Sequence, residues 1–87
     1  MPITIAYPSD IRPGEVYEDP SFHPCICVEV QNGEVIGISL VDGSYPRAAD
    51  IGVSDVRKLT VAEAWHWRRF GPKDVEVPAK HRWWTHT

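Results

Sequence analysis

The chain has 87 residues, enough for one domain with a single core and too few for two. Hydrophobic residues make up 43% and charged residues 24%, a composition that excludes a largely disordered chain. The formal net charge is −3: residues 1–56 hold two basic and nine acidic residues, and residues 57–87 hold seven basic and three acidic ones. The acidic balance argues against nucleic-acid binding. Attraction between the two parts within one fold is favoured, and the alternative is a basic, aromatic face for a partner in residues 57–87.

The N-terminal segment has no positively charged region and no long apolar run, so it does not read as a signal peptide. No apolar stretch approaches the roughly 20 residues of a membrane helix. We therefore expect a soluble cytoplasmic protein.

In chain order, residues 3–7 and 15–19 predict short strands separated by a turn at 9–14, and a further short strand is indicated near 53–59.

The best-marked element is a hairpin over residues 25–41. Its turn is Asn32-Gly33, a pair that favours the positive φ angles of a two-residue hairpin loop. Counting outward from a regular turn predicts which residues lie opposite each other: Val30 and Val35, Val28 and Gly37, Cys27 and Ile38, Cys25 and Leu40. Both faces of this hairpin are largely apolar, so we expect the rest of the chain to cover them.

A helix is predicted over residues 61–70. Thr60 and Glu63 fit a capping box at its start, and Arg68 and Arg69 suit the negative end of the helix dipole. Gly71-Pro72 supplies the stop. The apolar surface of this helix is wide, which indicates packing against the sheet and against a second element such as the tail.

Strands followed by one helix predict an α+β, mainly β fold: a small bent antiparallel sheet or an SH3-like partly open barrel, with the C-terminal helix at about 61–70. The segment Gly14-Glu15-Val16-Tyr17 is similar to the opening of small SH3-like barrels, an analogy of fold alone. We expect a single domain at residues 1–78 and a tryptophan-containing tail at 79–87. Residues 75–77, just before the tail, alternate like a short edge strand.

A further resemblance rests on three segments: 14–19 (GEVYED), 42–47 (DGSYPR) and 57–60 (RKLT). Together they resemble a group of short uncharacterised bacterial proteins, over most of residues 12–70 and outside the tail. The resemblance implies a bacterial origin and says nothing about chemistry.

His23, Cys25 and Cys27 alternate along one predicted strand and are the candidate metal ligands, since imidazole and thiolate bind zinc and copper. Ligands along a straight strand diverge, however, and the predicted register sets both cysteines in the core, so core packing as free thiols is favoured over a metal site. The neighbouring carboxylates would raise a thiol pKa, which argues against a nucleophile. No motif supports an enzyme, and we expect no cofactor.

Two sets of residues are candidate binding residues. Tyr45 and Arg47 lie on the turn after the hairpin and are residue types enriched at interfaces; the alternative is that Tyr45 packs over the sheet edge while Arg47 pairs with a carboxylate. Trp83 and Trp84 lie in a basic tail, where they could anchor the tail, join a protein interface or stack on single-stranded nucleic acid. We favour a non-enzymatic module that binds a protein partner or forms a homo-oligomer, with metal or nucleic-acid binding as the alternatives and nucleic acid disfavoured.

Overall fold

The computed structural model describes residues 3–53, 56–72 and Trp83. These residues are mainly β: within them six antiparallel strands form one open sheet and one α-helix packs on it, as the mainly β prediction with one C-terminal helix expects. A short 3-10 helix occupies Pro8–Asp10. The strands are β1 (Ile3–Thr4), β2 (Val16–Glu18), β3 (Pro24–Gln31), β4 (Glu34–Ser39), β5 (Ala49–Asp50) and β6 (Arg57–Leu59). Their order across the sheet is β1-β6-β2-β3-β4-β5.

The hairpin of β3 and β4 turns at Asn32 and Gly33, which both take positive φ angles, 52° and 77°, as a two-residue turn of this type requires. The predicted pair of Val30 and Val35 is confirmed. Beyond it the predicted register is wrong, because a β-bulge at Val28 inserts one extra residue into β3. Two predicted pairs therefore shift by one position on β4: Cys27 lies opposite Gly37, and Cys25 lies opposite Ser39. The third predicted pair is lost, because Val28 has no partner in this register.

The bulge decides which face of the sheet each hairpin residue occupies. Cys25, Cys27, Val30 and Val35 point to one face, where they pack with the N-terminal segment and the segment after β5 around Tyr17. After the bulge, Val28 and Glu29 both turn to the opposite face, since Glu29 lies opposite Ile36. The larger core cluster therefore comprises Ile5, Ile11, Tyr17, Cys25, Cys27, Val35, Ala49 and Val56.

The helix α1 (Val61–Phe70) has the bounds predicted from the sequence. Thr60 accepts the Glu63 amide at 3.1 Å and Glu63 accepts the Thr60 amide at 2.8 Å, which confirms the capping box. Its buried residues, Ala64 and Trp67, pack on the second face of the sheet in a smaller core cluster with Val16, Leu59, Ile26 and Leu40. The helix thus covers β6, β2 and β3, and it ends at Gly71, whose φ is 80°.

The tail is described only at Trp83. The strand predicted at residues 75–77, the boundary at residue 78 and the position of Trp84 lie outside the described residues. Within the described residues, no helix has both the length and the apolar character that crossing a membrane requires.

Candidate functional site

Most of the polar side chains with long-range contacts gather at one end of the sheet. Here β2 and β4 finish, at Glu18 and Ser39, and β3 begins at Pro24. The C-terminal part of α1 lies at the same end, because Arg68 Nε donates to the Leu40 carbonyl at 2.7 Å. We call this region the loop end; it includes the turn at residues 19–23, the loop at residues 42–47 and Trp83.

Arg47 lies at the centre of the loop end, and its side chain holds the 42–47 loop in place through polar contacts. Its guanidinium donates to Asp19 Oδ2 at 3.3 Å and to Ser44 Oγ at 2.7 Å, and it lies 3.6 Å from Asp42 Oδ2. The hydrogen bonds that Ser44 donates to Asp42 lower the pKa of that carboxyl to about 2, so the loop keeps its negative charge beside the guanidinium. Of the two interpretations from the sequence, pairing with carboxylates is the one that describes Arg47.

The backbone of the same loop is fixed to the sheet. The Arg47 amide donates to the Gly37 carbonyl at 2.8 Å, and the Ser39 amide donates to the Ser44 carbonyl at 3.0 Å. The buried Tyr17 hydroxyl donates to the Arg47 carbonyl from the core side. The residue between these anchors is Tyr45, joined to Pro46 by a cis peptide bond. The loop is therefore held at both ends by the sheet.

The Tyr45 side chain is largely exposed, with 58% of its surface accessible to solvent. Loop residues on a rigid scaffold are the usual carriers of binding function, because little conformational entropy is lost when they meet a partner. A tyrosine adds a large, amphipathic contact area with few rotatable bonds. The arrangement presents one aromatic side chain outward from a braced loop.

Asp19 organises the neighbouring turn. Although only 4% exposed, its carboxylate is satisfied: beside the Arg47 contact, its Oδ1 accepts the backbone amides of Ser21 and His23, each at 2.9 Å. Phe22, between them, takes a positive φ of 68°. The His23 ring then meets Ser39 Oγ at 2.9 Å, and this buried hydroxyl also accepts the amide of Val41 at 3.0 Å. The pair of His23 and Ser39 thus links the turn to β4.

Trp83 returns to the loop end. Its indole N–H donates to the Arg68 carbonyl at 2.9 Å, near the C-terminus of α1, and its ring meets the His23 ring edge-on with centroids 4.7 Å apart. The structure thus brings three of the predicted binding residues, Tyr45, Arg47 and Trp83, to one end of the sheet. The fourth, Trp84, lies outside the described residues.

The three candidate metal ligands are engaged with the protein itself. Cys25 Sγ lies 3.4 Å from the His23 carbonyl and Cys27 Sγ lies 3.6 Å from the Glu29 carbonyl, so both thiols have backbone acceptors. Both cysteines are free and buried, and burial raises the pKa of each thiol. In the described part of the chain, no three His, Cys, Asp or Glu side chains are grouped so as to hold a metal ion.

The sequence interpretation missed a second buried carboxylate. Glu18 is 3% exposed and receives two hydrogen bonds from Arg57, of 2.8 and 3.0 Å, and one from the Trp67 indole N–H at 2.9 Å. These contacts join β2, β6 and α1. No local signal marks Glu18, because the predicted strand at residues 15–19 contains three acidic residues and its partners are distant in the sequence.

Comparison with protein-family models, curated proteins and solved structures finds no match for this chain. The contacts at the loop end are therefore the basis for a functional proposal.

Proposed function

We propose that the protein is a binding or assembly module for another protein, and that the loop end is its contact surface. Tyr45 supplies the exposed aromatic anchor, Arg47 holds the loop that carries it, and Trp83 adds a second aromatic side chain at the loop end. Trp84, which follows Trp83 in the sequence, is the fourth proposed contact residue. Self-association is one form of this function. The similarity to SH3-like barrels, many of which bind peptides, stays a prediction.

The observation that carries the proposal is the contrast between Tyr45 and its surroundings. The side chain is 58% exposed, while the residues that hold its loop are buried or hydrogen-bonded: Tyr17, Asp19, Ser39, Ser44 and Arg47. A loop that only connected β4 to β5 would not need a half-buried guanidinium bound to two carboxylates. Binding surfaces, in contrast, gain affinity when their aromatic anchors are held in place before the partner arrives.

The test compares three immobilised proteins: the wild type, Tyr45→Ala and Tyr7→Ala. Tyr7 is the matched control, since it is a tyrosine with 67% exposure on the N-terminal segment. Each protein is incubated with lysate of the organism that carries the gene, and retained proteins are quantified by mass spectrometry. Circular dichroism confirms that all three are folded.

We expect at least one protein that wild type and Tyr7→Ala retain equally and that Tyr45→Ala retains about tenfold less, as for loss of a central aromatic anchor. If the three retain the same proteins in the same amounts, Tyr45 is not an anchor and the proposal is wrong.

A further inference from the structure

Half of one sheet face is left open by α1. The helix packs mainly on β6, β2 and β3, so it covers little of the part of the same face that belongs to β4 and to the hairpin end of β3. The side chains there are Val28, 42% exposed, Ile38, 36% exposed, and the half-buried Ile36. The bulge in β3 contributes to this surface, since it turns both Val28 and Glu29 to the helix side.

Three carboxylates border these apolar residues on the same face. Glu29 lies opposite Ile36, and Glu34 lies directly opposite Asp50 across β4 and β5. Like charges in directly opposed positions destabilise a sheet, and among the described residues no Lys, Arg or His forms an ion pair with any of the three. We call this surface the acidic shelf: Val28, Glu29, Glu34, Ile36, Ile38 and Asp50.

The exposed side of α1 carries the opposite charge to the acidic shelf. Trp65 is 58% exposed, Phe70 57% and Val61 66%, and the guanidinium groups of Arg68 and Arg69 lie over the rings of Trp65 and Phe70. Neither arginine contacts a carboxylate of the described residues. The one acidic residue of the helix, Glu63, is used in the N-terminal cap. This basic helix face is aromatic and positively charged, a combination typical of interface hot spots.

The geometry points to a homodimer in which the basic helix face of one copy lies on the acidic shelf of the other. Both surfaces are apolar at their centre, and the charges at their borders are opposite, so contact buries Trp65 and offers cations to the Glu34–Asp50 pair. The shelf is the continuation of the face on which α1 already packs, so a second α1 finds the kind of apolar strand surface that the first one covers. Two-fold symmetry makes the contact twice and closes the assembly.

This interface meets the loop end at Arg68, near the C-terminus of α1, but does not include the 42–47 loop. Tyr45, the anchor of the proposed function, belongs to neither the shelf nor the helix face, so a dimer leaves it available for another protein. The failure of one proposal is therefore distinguishable from the failure of the other.

Sedimentation equilibrium of the purified full chain tests the dimer, over roughly 1–500 µM, the range in which a modest interface shows its dissociation constant. We expect a monomer–dimer equilibrium for the wild type. Trp65→Ala should weaken dimerisation at least tenfold because it removes the central aromatic contact. The matched control Tyr7→Ala, a tyrosine that is 67% exposed and belongs to neither surface, should leave the dissociation constant unchanged.

A charge-reversal series identifies the partner surface. Arg69→Glu should weaken dimerisation, as should Glu29→Lys combined with Asp50→Lys, and the chain carrying all three changes should recover most of the lost affinity. A wild type that stays monomeric at the highest concentration overturns the proposal. So does a dimer that Trp65→Ala leaves intact, or one that the combined reversals fail to restore.

Discussion

At the scale of single residues, two adjacent carboxylates show how this small domain tolerates buried charge. Glu18 and Asp19 are both less than 5% exposed, and each has an arginine and other hydrogen-bond donors aimed at it. Such groups contribute little while paired and cost much when one partner is lost, because the remaining charge stays buried. Loss of one partner is therefore expected to cost far more stability in these buried pairs than in an exposed ion pair.

Arg57→Met tests this difference. It removes both guanidinium contacts from Glu18 and should destabilise the fold by about 3–5 kcal/mol, the usual cost of an uncompensated buried charge. The matched control is Lys58→Met, one residue along, whose ammonium meets the exposed Glu15 at 2.9 Å; its effect should be far smaller. Urea unfolding monitored by tryptophan fluorescence gives both values. Equal losses for the two variants would contradict the assignment of Glu18 as a buried, paired charge.

At the scale of elements, the sheet depends on a close approach between β2 and β4 across β3. Gly37 has no room for a side chain: a Cβ there would lie 2.6 Å from the Tyr17 hydroxyl and closer still to the Ile26 carbonyl. Its neighbours are main chain and a fully buried ring, which cannot move aside at low cost.

Gly37→Ala should therefore destabilise the protein by about 2–3 kcal/mol, through overpacking. The double variant with Tyr17→Phe should lose less than the sum of the two single changes, because removal of the hydroxyl relieves part of the contact. The free energies of unfolding of the wild type, the two single variants and the double variant, measured in urea, complete this double-mutant cycle. A neutral Gly37→Ala, or strict additivity, would show that the two residues do not touch.

The elements also show what sequence reasoning can reach. The turn at Asn32-Gly33 and the helix from Thr60 onward were predictable because each has a local chemical cause: positive φ angles in one case, a reciprocal cap in the other. The bulge at Val28 was not, since a run of β-branched and small residues accommodates an extra residue without any marker in its composition. Because of that single extra residue, Cys25 lies opposite Ser39 and not, as the sequence predicts, opposite Leu40.

In the candidate site, too, features with a local cause could be predicted from the sequence and contacts between distant residues could not. Tyr45 and Arg47 could be proposed because the turn chemistry around them is local. The partners of Arg47 could not: Asp19 is 28 residues away, and only the folded sheet brings the two together. Glu18 was overlooked for the same reason, as its partners Arg57 and Trp67 are 39 and 49 residues distant.

At the scale of the whole molecule, the buried ionisable groups of the core predict a loss of stability at alkaline pH. Burial raises the pKa values of Cys25 and Tyr17, so both groups stay neutral in the folded state. In the unfolded chain both groups have their ordinary pKa values, about 8.5 for the thiol and about 10 for the phenol. The unfolded state then binds fewer protons than the folded state, and stability falls as pH rises.

We expect the free energy of unfolding to be level below about pH 8 and to decrease above it, by about 1.4 kcal/mol per pH unit for each buried group that ionises on unfolding. Urea titrations at intervals from neutral to alkaline pH measure the slope. Cys25→Ala should be less stable at neutral pH but show a shallower alkaline slope. An unchanged slope in this variant would mean that Cys25 is not the group responsible.

The segment that carries Tyr45 also bears on how the protein stays in solution. Among the described residues, the long strands β3 and β4 lie inside the sheet, and both edges are strands of two residues. On the outer side of β4, the Gly33, Gly37 and Ser39 backbone groups are all taken, by Ile51, Arg47 and Ser44. An unpaired strand of this length and apolar character is a template for edge-to-edge aggregation. Shortening the 42–51 segment would uncover that template, so the loop that presents an aromatic outward also keeps neighbouring chains from adding to the sheet.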